Sequence, residues 1–383
     1  MTDQAEQIER CSIEDLKPGM ILARPIYTDQ GDVLVDSGTT LSEKVIEAVQ
    51  KRFGDQYMTA FIHIPKKKPQ AAAGAQFMPP VPVKPQAVNT ALIDQRYVDL
   101  YYAVMLKMYN LLVSQYSTGQ MDLEEIGSFL ASKHFNELCD GARAISQLHN
   151  MTREDDQYLL HHSLHVAILA GLMGRWLRWP AAHRERLLLA GLLHDVGKLN
   201  VPLSILNKEG KLTDEEWHYM SQHAEYSYDM LCKSGLSGES DIINGVRQHH
   251  ERNDGSGYPN GLKGDEICPF GHILAILDVY DAISANKAYA HRRSPFDAFD
   301  ILLSDMMGGK LNAEYGVLFV KHICQALIGC WVRLSNGQKG KIIYIDQSRT
   351  SALPIIKLEN GEFWNVASKQ DVYIQELLTY DEI

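Results

Sequence analysis

Residues 187–198, LLLAGLLHDVGK, constrain this chain more than any other stretch. An apolar run carries the adjacent His194 and Asp195 to the end of a helix, and Lys198 follows three residues on. One imidazole nitrogen and one carboxylate can then reach the same point in space. A histidine at a helix C-terminus is also served by the negative end of the helix dipole. The pair therefore gains meaning only beside the other histidine-bearing segments.

Those segments lie in a helical region. From about Ala91 the run LIDQRYVDLYYAVMLKMYNLLVSQY carries Leu, Val, Tyr and Met at helical spacing, and residues 122–138 repeat the pattern. These stripes read as core or dimer surface. Helical patterning continues to about Leu327, broken by one glycine-rich loop, and Thr213-Asp214-Glu215-Glu216 is a capping box that starts another helix. On either side the period changes. Within residues 8–64, ILARPIYT and GDVLVDSGTTL are short β-rich runs, followed by a short helix around Ser42–Arg52. After Gly329, apolar and polar residues alternate around the Asn336-Gly337 and Asn360-Gly361 turns, the signature of hairpins. The fold expected is mainly α: a helical bundle over 91–327, flanked by a small β-rich module at 1–64 and a hairpin-rich one at 328–383. Residues 65–90, rich in Pro, Ala and Lys, are a linker, with Lys66-Lys67-Lys68 a solvated entrance to it.

Composition narrows the function. A net charge of -11 argues against a binder of DNA or RNA polymers, which needs a positive surface. A phosphate-bearing substrate would need local cations. Six scattered cysteines without a C-x-x-C spacing suggest reduced thiols in the cytoplasm, with neither a disulfide framework nor a zinc knuckle. No signal-peptide core or spanning apolar run is present, so a soluble protein is expected.

The candidate metal ligands are His162, His194, Asp195, His223, His249, His250 and Asp278. Five imidazoles and two carboxylates from separate helices are too many for one cation and suit two, with Asp195 the chosen bridge. Nitrogen and oxygen donors without thiolate suit iron or manganese, and catalytic zinc stays open. His161 and His165 fall on other helix faces than His162 and are read as structural, as are His183, His218, His272, His291 and His322.

The order of these residues resembles the HD-GYP family of HD-superfamily phosphohydrolases. It runs His162-Ser163, then His194-Asp195-Val196-Gly197-Lys198, then His223. It continues with His249-His250-Glu251 through Asp254-Gly255-Ser256-Gly257-Tyr258-Pro259, and ends with Asp278 and Asp281-Ala282. The likeness covers roughly 150–325, and the LKPGMILARPIYTDQGDVLVDSGTTL run is similar to a small domain often found ahead of such units. The resemblance implies a phosphodiesterase that opens cyclic di-GMP to linear pGpG, with further cleavage to GMP left open. The seven ligands fall on the family's metal positions, and Asp195 and Lys198 are the catalytic pair, Lys198 contacting phosphate. Gly257, Tyr258 and Pro259 form the naming loop on the substrate side, its glycines letting backbone N–H groups approach guanine or phosphate. No general acid for the leaving ribose oxygen is obvious, and Asp281, three residues past Asp278, is one option.

Two departures are visible. Tyr158 stands where some members carry a glutamate for a third metal, which implies a dinuclear site here. Ala285-Asn286-Lys287-Ala288-Tyr289-Ala290 replaces a stretch whose arginines hold substrate phosphate; Lys287 keeps one charge and Arg292 is a candidate for another. The alternatives are a phosphodiesterase for 3',3'-cyclic GMP-AMP, another HD-superfamily nucleotide phosphohydrolase, and a weakly active module binding cyclic dinucleotide or diguanylate-cyclase-type signalling partners. A homodimer through the helices near Tyr101–Tyr116 fits the aromatic stripe.

Overall fold

The computed structural model describes residues 7–12, 16–18, 20–22, 26–27, 33–35, 39–53, 59–64, 95–118, 123–130, 132–139, 144–145, 148, 158–206, 208, 210–284, 295–345, 354–365 and 372–378. Two compact units are present, Met1–Gln76 and Phe77–Ile383. The Pro/Ala/Lys-rich stretch at 65–90 lies outside the described residues.

In the first unit, strands β1 (Gln7–Ser12), β2 (Ile21–Leu22) and β5 (Thr59–Ile64) form an antiparallel sheet in the order β1-β5-β2. Strands β3 (Ile26–Tyr27) and β4 (Val33–Val35) pair separately. One helix, α1 (Glu43–Phe53), lies between β4 and β5 in the chain, one residue from the span expected for it.

The second unit begins with α2 (Gln95–Thr118), α3 (Leu123–Leu130) and α4 (Lys133–Leu138). Its centre is α5 (Tyr158–Trp176), buried continuously from Leu159 to Gly174. A helix apolar on every side can only sit inside other helices. The polar residues it carries, His161, His162, Ser163 and His165, must therefore find partners in the interior. Arg178, at φ 56, turns the chain tightly, and the Trp179 N–H closes on the Gly174 carbonyl at 3.0 Å before α6 (Ala181–Leu193) runs back along α5. The 3-10 turn Val196–Asn200 follows, then α7 (Leu203–Leu206), α8 (Asp214–Ser221), α9 (His223–Lys233) and α10 (Ser240–Gln248). Helix α11 (Pro269–Ser284) opens on a proline, whose missing N–H costs nothing in the first turn, and is the second deeply buried helix. Helices α12 (Pro295–Met307) and α13 (Ala313–Leu327) complete the bundle.

Strands β6 (Trp331–Leu334), β7 (Lys339–Ile345), β8 (Pro354–Leu358), β9 (Phe363–Asn365) and β10 (Ile374–Leu377) form an antiparallel sheet in the order β10-β6-β7-β8-β9. The turns at Gly337 (φ 83) and Gly361 (φ 85) take the left-handed backbone that Asn-Gly turns supply. Val332, Ile342, Ile356 and Trp364 of this sheet join the same apolar cluster as the helices.

The α5–α6 crossing depends on Gly191. A Cβ there would lie 3.1 Å from both the Ala167 Cα and the Val166 carbonyl oxygen. Gly191→Val is expected to push the two helices apart at a cost of about 1–3 kcal/mol, read as a lower thermal midpoint in calorimetry; an unchanged midpoint would contradict the crossing described.

Candidate metal centre

Five segments meet at one point. His162 comes from the middle of α5 and His194 from the end of α6, with Asp195 and Lys198 beyond it. His223 starts α9, His249 and His250 follow α10, and Asp278 comes from α11. All seven candidate ligands are close together, in two groups: His162, His194 and Asp278, and Asp195, His223, His249 and His250. Asp195 faces both. Its Oδ2 is 3.5 Å from His162 Nε2 and 3.4 Å from His194 Nε2, while its Oδ1 is 3.2 Å from His223 Nε2 and 3.8 Å from His249 Nε2. Asp278 Oδ1 lies 3.0 Å from His162 Nε2, and its Oδ2 lies 3.6 Å from His250 Nδ1.

The tautomers follow from what the other ring nitrogens meet. His194 Nδ1 is 2.8 Å from the Gly191 carbonyl, His223 Nδ1 2.6 Å from that of Met220, and His249 Nδ1 2.5 Å from that of Val246. A carbonyl only accepts, so each Nδ1 carries the proton and each Nε2 turns a lone pair inward. His162 donates its Nδ1–H to Asp281 Oδ2 at 2.8 Å, and its Nε2 faces Asp278 Oδ1.

Two of those lone pairs then confront each other, His223 Nε2 lying 3.3 Å from His249 Nε2. Asp195 Oδ1 is buried and accepts no hydrogen bond among the described residues. Facing acceptors without protons between them repel, and a cation among them removes the conflict. The donor set, imidazole and carboxylate without thiolate, suits a divalent metal. The residues therefore fit such a group.

Electrostatics agree. Burial raises the Asp195 carboxyl, but Lys198, 2.5 Å from its Oδ2, and His194 outweigh this and hold it well below the usual carboxylate range. Asp278 is likewise depressed against its own burial, chiefly by His162 and His250. His249 and His250 are pushed well below 6.5 by burial and by neighbouring imidazoles. His162 goes the other way: burial lowers it, but hydrogen bonds to Asp278 and Asp281 raise it to about 9.

Behind the cluster stand residues that support it, with His161 and His165 structural as expected. Asp281 is buried, and its two oxygens are taken by His162 and by His165 Nδ1 at 3.0 Å. That occupancy contradicts the general-acid expectation, because the carboxylate sits behind a ligand ring and orients it. His165 joins this pair, and His161 Nδ1 meets the Tyr101 hydroxyl at 2.8 Å. Ser227 was not foreseen: its hydroxyl accepts the Gly197 N–H at 2.8 Å and donates to the His194 carbonyl at 2.9 Å. Its signal was present, since it lies four residues past His223, on the same helix face. Glu251, buried beside His250, accepts the Asn260 and Leu262 N–H groups at 2.7 and 3.0 Å and so ties down the loop.

That loop differs from its expectation. A Cβ on Gly257 would lie 2.3 Å from the Arg252 nitrogen, and the Tyr258 N–H is donated to the His250 carbonyl at 3.2 Å. Gly257 therefore leaves room for the His250–Arg252 backbone to pack against it. Tyr258 lies over His250 with ring centres 4.7 Å apart, and Pro259 follows it. Tyr158 stacks on His162 at 5.3 Å. Lys287 and Arg292 lie outside the described residues.

With this geometry in hand, comparison with known proteins is informative. Residues 143–311 match the family model of the HD domain, and the helical region is a domain of that class. The relatives it matches are named as cyclic-dinucleotide phosphodiesterases. It is 28% identical to the cyclic di-GMP phosphodiesterase PA4108 of Pseudomonas aeruginosa, over 94% of this chain and 86% of that protein. It is 42% identical to the 3'3'-cGAMP-specific phosphodiesterase 3 of Vibrio cholerae, over 34% of this chain and 28% of that longer protein. Among solved structures it matches Bd1817, an HDG"Y"P protein of Bdellovibrio bacteriovorus. There the identity is 14%, the TM-score 0.47, and the coverage 82% of this chain and 98% of that one.

Two measurements follow. Asp281→Asn, which leaves all seven candidate ligands in place, is expected to weaken divalent-metal binding roughly 10–100-fold in equilibrium dialysis; unchanged affinity would remove Asp281 from the site's support. Metal-free protein should also have a two-sided pH profile of stability. His249 and His250, depressed below 6.5, bind protons only when unfolded, so stability falls as pH drops below 6.5. His162, raised to about 9, contributes fully below 6.5 and loses that contribution as pH rises through 9. Thermal melts across this range should peak near the middle, and a flat profile would refute the burial of His249 and His250 as neutral rings and of His162 as a charged one.

Proposed function

We propose that this protein is a metal-dependent phosphodiesterase that opens cyclic di-GMP to pGpG in bacterial second-messenger signalling. The observation that carries the reading is the set of inward-facing imidazole nitrogens around Asp195, an arrangement that calls for positive charge. Two divalent ions, iron or manganese, fit the two groups: His162, His194 and Asp278 would hold one, and His223, His249 and His250 the other, with Asp195 between them. Such ions supply Lewis-acid polarisation of a phosphodiester and lower the pKa of water.

The chain's own groups do the rest. Lys198 stands at the edge of the cluster with 17% of its side chain exposed, placed to hold a phosphodiester oxygen as charge develops on it. Asp281 and Ser227 keep His162 and the His194–Gly197 turn in position. Tyr258 stacks on His250 and covers one face of its ring. Lys287 and Arg292 stay in this proposal as phosphate contacts by their place in the sequence.

Among the described residues no helix is long and apolar enough to cross a membrane, and five cysteines are free thiols, which supports action in the reducing cytoplasm. Diguanylate-cyclase-type partners and a homodimer through α2 belong to the same proposal, although Tyr101 itself is buried against His161. The domain division at 64, 90 and 327 is retained as a proposal on the change of sequence period. A second substrate, 3',3'-cyclic GMP-AMP, is favoured by one observation: the 42% identity over 132 residues to a protein named for it.

Purified protein loaded anaerobically with Fe(II) or Mn(II) is expected to hydrolyse cyclic di-GMP, with activity falling in acid as the ring nitrogens protonate. Asp195→Ala should abolish turnover. Faster turnover of cyclic GMP-AMP would move the assignment to the second substrate. Absence of turnover of either by stoichiometrically loaded protein would overturn the proposal.

A further inference from the structure

The most exposed tryptophan described stands beside this site. Trp217, on α8, is 53% exposed although indole is among the costliest side chains to leave in water. Its ring meets Tyr258 edge to face, with centres 5.9 Å apart and planes at 82°. Tyr258 in turn lies on His250. Two ring contacts thus separate the indole from the cluster, a short enough span for one nucleoside to bridge with its phosphodiester held among the ligands.

The indole is held firmly for an exposed group. Thr213 caps α8, its hydroxyl taking the Glu216 N–H while the Glu216 carboxylate takes the Thr213 N–H. Lys208 pairs with Glu216 at 2.5 Å, and the Trp217 N–H closes on the Thr213 carbonyl at 2.8 Å. A helix whose first turn is locked in this way holds the Trp217 backbone in place, and the ring rests one edge on Tyr258 with the rest open. That arrangement offers a flat platform, not a core residue left over.

We infer that Trp217 is a base-stacking residue of this site, receiving a purine of the cyclic dinucleotide while the adjoining phosphodiester lies at the cluster. The inference rests on the phosphodiesterase reading for its ligand class. Stacking uses the π-face that every base has, so the contact adds affinity without choosing guanine over adenine.

The test uses the full chain loaded with Mn(II) and a bis-phosphorothioate analogue of cyclic di-GMP that resists hydrolysis. Trp217→Ala is expected to raise the analogue's Kd about 5- to 150-fold, the loss of one base–aromatic stack. Trp217→Phe should restore most of it, and the corresponding cyclic GMP-AMP analogue should lose affinity alike. With the natural substrate KM should rise in parallel while kcat changes little, because the stack is present in both ground and transition states. Metal content should match wild type in both variants. Wild-type affinity in Trp217→Ala overturns the inference and leaves the indole to a protein partner. A parallel loss of metal also overturns it, since the effect would then run through the cluster. Tight analogue binding without turnover by the wild type counts against the phosphodiesterase reading alone; no analogue binding by the wild type overturns both.

Discussion

Everything in the helical unit answers to one electrostatic conflict: imidazole lone pairs and carboxylates buried face to face. Polar groups removed from water without partners are costly, and charged ones more so. Here His194, His223, His249 and Asp195 are all buried, yet the lone pairs of His223 and His249 face each other and Asp195 Oδ1 accepts no hydrogen bond among the described residues. Such an interior is stable only with positive charge at its centre. With no metal the raised His162 provides part of it as an imidazolium, and Lys198 provides more from the edge.

The backbone solves the orientation problem with one device used three times. The last carbonyls of a helix have no partner within it. His194 stands just past the end of α6, His249 just past α10, and His223 shortly past α8. Each returns its Nδ1 to the carbonyl three residues earlier, satisfying an orphan acceptor and fixing its own tautomer in one contact. The same geometry brings three helix C-termini together, so their partial negative charge adds to the attraction for cations. His162 has no helix end to use, being in the middle of α5, and it is the ligand that needs a carboxylate, Asp281, behind it.

This device explains why so much was legible in sequence. A histidine closing an apolar helical run, as in LLLAGLLHD or IINGVRQHH, is a local pattern, and so are the Thr213 capping box and the Asn-Gly hairpins. What stayed hidden depends on contacts between elements. Ser227 reads as an ordinary helix serine until the Gly197 turn is laid against it with no room for a Cβ, the nearest atom being the His223 carbonyl oxygen. Asp281 shares its face with Asp278, so spacing alone placed it at the chemistry; only the α5–α11 packing puts it behind His162. The loop glycines were read as making room for ligand, and Gly257 in fact makes room for the chain's own backbone.

Charge connects the site to its ligand. The chain carries a net charge of -11, and the site itself holds Asp195, Asp278 and Asp281 against Lys198 alone, before any histidine takes a proton. A phosphodiester would be repelled from that arrangement. Were the two proposed divalent ions bound, their four positive charges would exceed the three carboxylates and make the site attractive to an anion. The low local dielectric then strengthens the attraction. Metal and phosphate sites of this construction are therefore not independent: the same carboxylates that draw cations in keep the diester out until the cations arrive, and an exposed aromatic such as Trp217 can add affinity for a base only after that reversal of sign.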